Sequence, residues 1–188
     1  MIILVIGGSG SGKSAYAESL LEEFQDKYYI ATMEALDEEA RRRVERHRQL
    51  RGGKGFVTIE QPRELIEAAE KIRRNRIEAK HHPKRDPKRP VAALLECVSN
   101  LVANEMFLPA GIRGEQETSR QVIRGVETLA GEVEELVVVS NNVFEDGICY
   151  DESTMAYLRS IAKVNEALAE LADRVVEVVV GIPVTLKE

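Results

Sequence analysis

Short apolar runs alternate along this chain with longer stretches whose apolar residues recur at helical spacing. Ile2-Ile-Leu-Val-Ile6, Lys27-Tyr-Tyr-Ile-Ala-Thr32, Phe56-Val-Thr-Ile59, Val91-Ala-Ala-Leu-Leu95, Leu136-Val-Val-Val-Ser140 and Arg174-Val-Val-Glu-Val-Val-Val180 read as strands. The runs at 91–95 and 136–140 are apolar throughout, as in strands buried on both faces. Between them, helices are predicted over 15–24, 37–50, 63–77, 101–107, 116–135 and 155–172. Asp37 is placed to cap the second of these and Gly52-Gly53 to stop it, while the third starts after Pro62. Gly181-Ile-Pro183 reads as a turn, and Val184-Thr-Leu-Lys187 as an edge strand. Strand and helix in alternation predict an α/β fold with a largely parallel sheet, and no internal repeat is visible.

The first strand runs into Gly7-Gly-Ser-Gly-Ser-Gly-Lys-Ser14, which fits the G-x-x-x-x-G-K-[ST] pattern. Glycines let the backbone turn tightly and aim its N–H groups at phosphate oxygens. Lys13 then reaches the β- and γ-phosphates, and the Ser14 hydroxyl can ligate Mg²⁺. Helical spacing follows directly, which puts the phosphates at a helix N-terminus. The alternative is a plain Gly/Ser-rich turn. Strand, loop and helix in the right order argue against it, and the glycine spacing excludes a G-x-G-x-x-G dinucleotide fingerprint.

Composition narrows the classes further. With 188 residues the chain reads as one domain, and its apolar and charged fractions are those of a globular protein. A formal net charge of -6 argues against general nucleic-acid binding. No apolar stretch is long enough to span a membrane, and Ile2 to Ile6 is too short for the apolar core of a signal peptide. Cys97 and Cys149 form neither a C-x-x-C pair nor a disulfide framework, so a reducing, cytoplasmic setting is expected. Cys97 ends an apolar run and reads as a small buried residue. The stretch 73–90 is basic and broken by Pro83 and Pro87, ending at Pro90, and reads as an exposed connection. It lacks the aromatic residues that stack on bases, and its His81-His82 pair lacks partners at metal-ligand spacing.

Two further features carry chemistry. A phosphate loop needs an acid at the end of a neighbouring strand to hold Mg²⁺, directly or through water, and Ala92-Ala-Leu-Leu-Glu96 supplies one. In the helix predicted over 37–50, Arg43, His47 and Arg51 recur every four residues and share a face. A histidine there can act as a nucleophile toward a phosphoryl or nucleotidyl group while guanidiniums hold the phosphates. A solvated basic helix with an incidental histidine explains the spacing equally well.

Taken together, these elements resemble the bifunctional adenosylcobinamide kinase/adenosylcobinamide-phosphate guanylyltransferases of cobalamin biosynthesis. The resemblance covers nearly the whole chain. It rests on the phosphate loop, Tyr29-Ile-Ala-Thr32, Arg43-Val-Glu-Arg-His-Arg-Gln-Leu-Arg51 and Thr58-Ile-Glu60. It continues through Leu94-Leu-Glu-Cys-Val-Ser-Asn-Leu-Val-Ala-Asn104, Val138-Val-Ser-Asn141, Asn165, Ala172-Asp173 and Gly181-Ile-Pro-Val-Thr-Leu-Lys187. The expected fold is therefore the P-loop NTPase (RecA-like) one, a mostly parallel central sheet flanked by helices.

The resemblance implies two reactions. A nucleoside triphosphate phosphorylates the aminopropanol hydroxyl of adenosylcobinamide; GMP from GTP then passes through a histidine to adenosylcobinamide phosphate. It makes His47 the guanylylated residue, with Lys13 and Glu96 beside it in catalysis. Nucleotide binding falls to Gly7, Gly8, Ser9, Gly10, Ser11, Gly12, Lys13 and Ser14 of the loop, and to Arg48, Arg51 and Glu60. Ser14 and Glu96 hold Mg²⁺, GTP or ATP is the nucleotide substrate, and a homotrimer is the implied assembly. The sequence departs from the family pattern after the strand at 136–140. Asn142 stands for a carboxylate and Phe144 for a glycine, with Glu145 or Asp146 available to restore charge from a shifted loop. These changes keep two other readings open: a P-loop kinase or NTPase with another acceptor, and a nucleotide-binding regulator without transfer chemistry.

Overall fold

A computed structural model describes residues 1–34, 38, 42, 53–80, 89–143, 147–148 and 150–188. In chain order the elements are β1 (Ile2–Gly7), α1 (Lys13–Ser19), β2 (Asp26–Ala31), β3 (Phe56–Glu60), α2 (Leu65–Lys80), β4 (Val91–Glu96) and α3 (Val98–Met106). They continue with β5 (Phe107–Leu108), β6 (Gly111–Ile112), α4 (Glu115–Ala130), β7 (Glu135–Asn141), α5 (Glu152–Leu171), β8 (Arg174–Val179) and β9 (Ile182–Lys187). Seven strands form one sheet in the order β3-β2-β4-β7-β1-β8-β9. All neighbours are parallel except β8 and β9.

The apolar runs explain this order. β1, β4 and β7 occupy the middle, where both faces are covered, and Leu4, Val5, Leu94, Leu95, Val137 and Val138 are at most 1 % exposed. One face packs on α2, α3, α4 and α5 through Leu4, Leu95, Val138, Ile72, Leu101, Leu129 and Ile161. The other packs Val5, Leu94 and Val139 against Ala17 and Leu21, in α1 and the turn that follows it. Parallel strands all point their carboxyl ends the same way, so the loops after β1, β2, β4 and β7 gather at one edge of the sheet.

Several boundaries differ from the sequence reading. The helix predicted over 15–24 stops at Ser19 and continues as turns. The one predicted over 37–50 lies outside the described residues except Glu38 and Arg42, which are helical and make an exposed ion pair. The basic connection read at 73–90 is corrected: α2 runs on to Lys80, so its first part is helix. Arg, Glu, Ala and Lys all favour helix, and tertiary partners hold this stretch down. Arg76 bridges to the Glu134 carboxylate at 2.8 Å and donates to the Glu132 carbonyl. Residues 81–88, with His81 and His82, lie outside the described residues. α4 ends at Ala130 rather than 135, with Gly131 as its C-cap, and the chain beyond it is tied to the start of β4 by the Val91 N–H, which donates to the Glu134 carboxylate at 2.6 Å. The hairpin of β5 and β6 had no counterpart in the sequence reading. α5 starts at Glu152, ahead of the expected 155, because Asp151 caps it by accepting from the Ser153 and Thr154 N–H groups.

Candidate active site at the phosphate loop

The loop from Gly7 to Ser14 leaves β1 and enters α1 at the carboxyl edge of the sheet. Two glycines in it are required by space. Gly12 sits at φ +91° as the residue before α1, and a Cβ there would lie 3.3 Å from the Gly181 Cα. A Cβ on Gly7 would come within 2.6 Å of the Val178 carbonyl oxygen. The β8–β9 turn thus braces the loop from one side, and the Gly181 N–H donates to the Ser11 carbonyl at 2.8 Å. Lys13 is buried, and its ammonium folds over the loop to donate to the Gly8 carbonyl at 3.1 Å.

Across the sheet, β4 ends in Glu96 at half-buried position, two strands from β1 with β7 between them. The Ser14 hydroxyl donates to Glu96 Oε1 at 2.5 Å, and the Tyr29 phenol donates to Oε2 at 2.7 Å. The sheet register explains the second contact. Tyr29 lies opposite Leu94, and side chains alternate along a strand, so Tyr29 and Glu96 point to the same face. The backbone here is also fixed, since the Thr32 N–H donates to the Glu96 carbonyl at 3.1 Å. The fully buried Thr32 hydroxyl accepts from the Cys97 N–H and donates to the Cys97 carbonyl, at 2.7 and 2.8 Å.

Asn141 ends β7 opposite Gly7, between the phosphate loop and Glu96. Its amide donates to Ser99 Oγ at 2.6 Å, and Ser99 Oγ lies 3.1 Å from Cys97 Sγ. The Tyr157 phenol donates to the Ser99 carbonyl at 3.2 Å, and burial, with a smaller contribution from Cys97, pushes that phenol up to about 12. Burial also pushes the Cys97 thiol above its ordinary value, so Cys97 is a packed thiol, as expected, and not an activated nucleophile. Asn142 keeps its backbone tied to the loop, its N–H donating to the Gly7 carbonyl at 3.1 Å.

The structure therefore brings Gly7 through Ser14 together with Glu96. Glu60 ends β3 in register with Ala31, which is itself in register with Glu96, so both acids stand at the same edge of the sheet. His47, Arg48 and Arg51 lie outside the described residues, as do Phe144, Glu145 and Asp146. Tyr29 and Asn141 carry site contacts that the sequence reading gave no role. Period-two alternation puts Tyr29 and Glu96 on one face only once the register of β2 on β4 is known. Ser14 and Glu96 offer two hard oxygen donors converging at the loop, a set that suits Mg²⁺ once phosphate oxygens and waters complete it. Among the described residues no cluster of three or more His, Cys, Asp or Glu could hold a metal by itself.

A strand, glycine-rich loop, buried lysine and serine facing an acid on a nearby parallel strand define a P-loop nucleotide-binding enzyme. Solved structures agree on the fold. A prototypical ATPase from the type III secretion system of pathogenic bacteria superposes with a TM-score of 0.52 at 12% identity, over 98% of this chain and 56% of the ATPase chain. The family model for cobinamide kinase / cobinamide phosphate guanyltransferase matches residues 3–186. The bifunctional adenosylcobalamin biosynthesis protein CobU of Escherichia coli K12 is 33% identical, with 100% of both chains covered. The CobU of Salmonella typhimurium is 32% identical, again over 100% of both. The bifunctional protein CobP of Pseudomonas aeruginosa is 29% identical over 98% of this chain and 96% of its own. The chain belongs to the cobinamide kinase / cobinamide phosphate guanyltransferase family, whose members are bifunctional enzymes of cobalamin biosynthesis.

Among the described residues, no helix is long and apolar enough to cross a membrane.

Proposed function

We propose that residues 1–188 form one transferase unit that carries out both reactions at the phosphate loop. The Ser14–Glu96 contact carries this reading, because it joins the loop to an acid on a second strand. In the kinase step the loop N–H groups and Lys13 hold the β- and γ-phosphates while the cobinamide hydroxyl attacks the γ-phosphorus; the bond from that phosphorus to the β–γ bridging oxygen breaks, nucleoside diphosphate leaves, and the hydroxyl proton passes to solvent. The positive charge of the N–H groups and Lys13 stabilises what builds on the transferring group. In the guanylyl step an imidazole nitrogen of His47 attacks the α-phosphorus of GTP and pyrophosphate leaves. A phosphate oxygen of cobinamide phosphate then attacks the same phosphorus, and the P–N bond breaks to return the free histidine. Arg48, Arg51 and Glu60 belong to the nucleotide pocket in this scheme.

Mg²⁺ would be held by Ser14 and Glu96, where it would neutralise phosphate charge. The scheme includes the adenosylated corrinoid as acceptor, a cytoplasmic location and a homotrimer, the last testable by light scattering. The central test is incubation with Mg²⁺ and α-labelled GTP followed by denaturing mass analysis, beside His47→Ala. A GMP adduct on the wild type alone supports the scheme. No adduct with GTP still bound would count against guanylyl transfer, and would favour a kinase with another acceptor or a nucleotide sensor.

A further inference from the structure

We infer that Tyr29 is a positioning residue, whose phenol orients the Glu96 carboxylate toward the cation held at Ser14. This rests on the proposal that Ser14 and Glu96 are the protein ligands of that cation. The two carboxylate oxygens have separate partners, Tyr29 on Oε2 at 2.7 Å and Ser14 on Oε1 at 2.5 Å. A glutamate has three side-chain torsions, so a half-buried one beside a phosphate site needs something to select one orientation. The phenol does this as a neutral donor. It fixes Oε2 without an opposing charge that would compete with a cation, and leaves Oε1 as the oxygen facing the loop.

Tyr29 is itself well placed to be rigid. It is 3 % exposed, in the middle of β2, with β3 and β4 on either side. Its ring meets Phe56 edge-on at 6.0 Å between centroids, and the Lys27 ammonium lies 4.9 Å from the Phe56 ring centre on the same strand pair. Groups that orient a metal-binding carboxylate in this way typically alter metal affinity by about tenfold or more when removed.

The test uses the full chain, Mn²⁺ as the probe and a non-hydrolysable GTP analogue, with free Mn²⁺ read by electron paramagnetic resonance. Tyr29→Phe keeps the ring and its edge contact and removes only the hydroxyl. It is expected to weaken Mn²⁺ binding about tenfold, with analogue affinity in chelator unchanged and the thermal midpoint lowered only by the loss of one hydrogen bond. Glu96→Gln should weaken Mn²⁺ binding at least as much, and Tyr29→Phe added to Glu96→Gln should weaken it no further. Phe56→Leu, which leaves the phenol but loosens its bracket, should move affinity in the same direction by less and serves if the Phe variant does not fold. Unchanged Mn²⁺ affinity in Tyr29→Phe beside a weakened Glu96→Gln overturns the role of Tyr29 alone. An unchanged Glu96→Gln overturns the cation reading, and this inference with it. Additive losses in the double variant would mean that Tyr29 acts elsewhere.

Discussion

The Gly181 N–H donates to the Ser11 carbonyl at 2.8 Å, so the turn between the last two strands holds the phosphate loop from outside. The same turn crowds Gly12, where a Cβ would lie 3.3 Å from the Gly181 Cα, and its φ of +91° already disfavours any side chain. Gly12→Ala should therefore displace the loop from the turn. Nucleotide affinity, measured by calorimetry, should fall at least about tenfold, while the left-handed backbone adds a penalty of about 1 kcal/mol to folding. Unchanged affinity would show that the loop does not depend on this brace.

Lys13 is the buried cation of the loop. Lys13→Ala should lower kcat/KM for phosphoryl transfer by about a hundredfold to a thousandfold, the usual cost of one charge-stabilising donor. If the guanylyl step uses the same loop, the rate of adduct formation on His47 should fall with it. A quenched-flow comparison of the two rates separates a shared phosphate site from two distinct ones.

Glu105 is 1 % exposed and is held by the Arg113 guanidinium at 2.5 Å and by the Glu64 N–H at 2.6 Å. Removing the guanidinium leaves a buried carboxylate with one donor fewer. Arg113→Ala should cost about 3–5 kcal/mol in urea unfolding, whereas Arg42→Ala, at an exposed pair with Glu38, should cost less than about 1 kcal/mol. Replacing Glu105 and Arg113 together by apolar residues should recover much of the loss.

Tyr157 gives the pH dependence. Its folded pKa is raised, to about 12, so the native state resists ionisation more than the unfolded chain does. The associated stability is complete below about pH 10, the ordinary value for a phenol, and is lost as pH rises from there toward 12. Ultraviolet titration of the wild type minus Tyr157→Phe should isolate a single step near 12. A step near 10 would mean that the phenol is not buried in solution. The variant also loses the bond to the Ser99 carbonyl, worth about 1 kcal/mol.

The strands were the most legible part of the sequence, because a parallel strand covered on both faces needs an uninterrupted apolar run. Leu94 and Leu95, adjacent and both fully buried, illustrate this. The loop was legible because phosphate binding constrains residue types at fixed spacing. Contacts made across the sheet were not. That Tyr29 reaches Glu96 follows from the register of β2 on β4, and no local pattern encodes register between parallel strands joined by long crossovers. Helix ends carry local signals instead: α4 stops at Gly131 and α5 starts after its cap Asp151, although the helical spacing of apolar residues extends the first to 135 and starts the second only at 155. The role proposed for His47 stands on its motif, since its position falls outside the described residues.

The placement of β1 also bears on how the chain folds. Met1 pairs its amino group with the Glu134 carbonyl, 133 positions away, and both strands that flank β1, β7 and β8, come from the later part of the chain. The phosphate loop therefore has no sheet to stand on until β7 and β8, both later in the chain than β1, have formed. An apolar strand whose partners lie so far along the chain favours slow folding and leaves partly folded molecules exposed to aggregation. Nucleotide can assist only at the end, when the loop, Glu96 and Gly181 have come together.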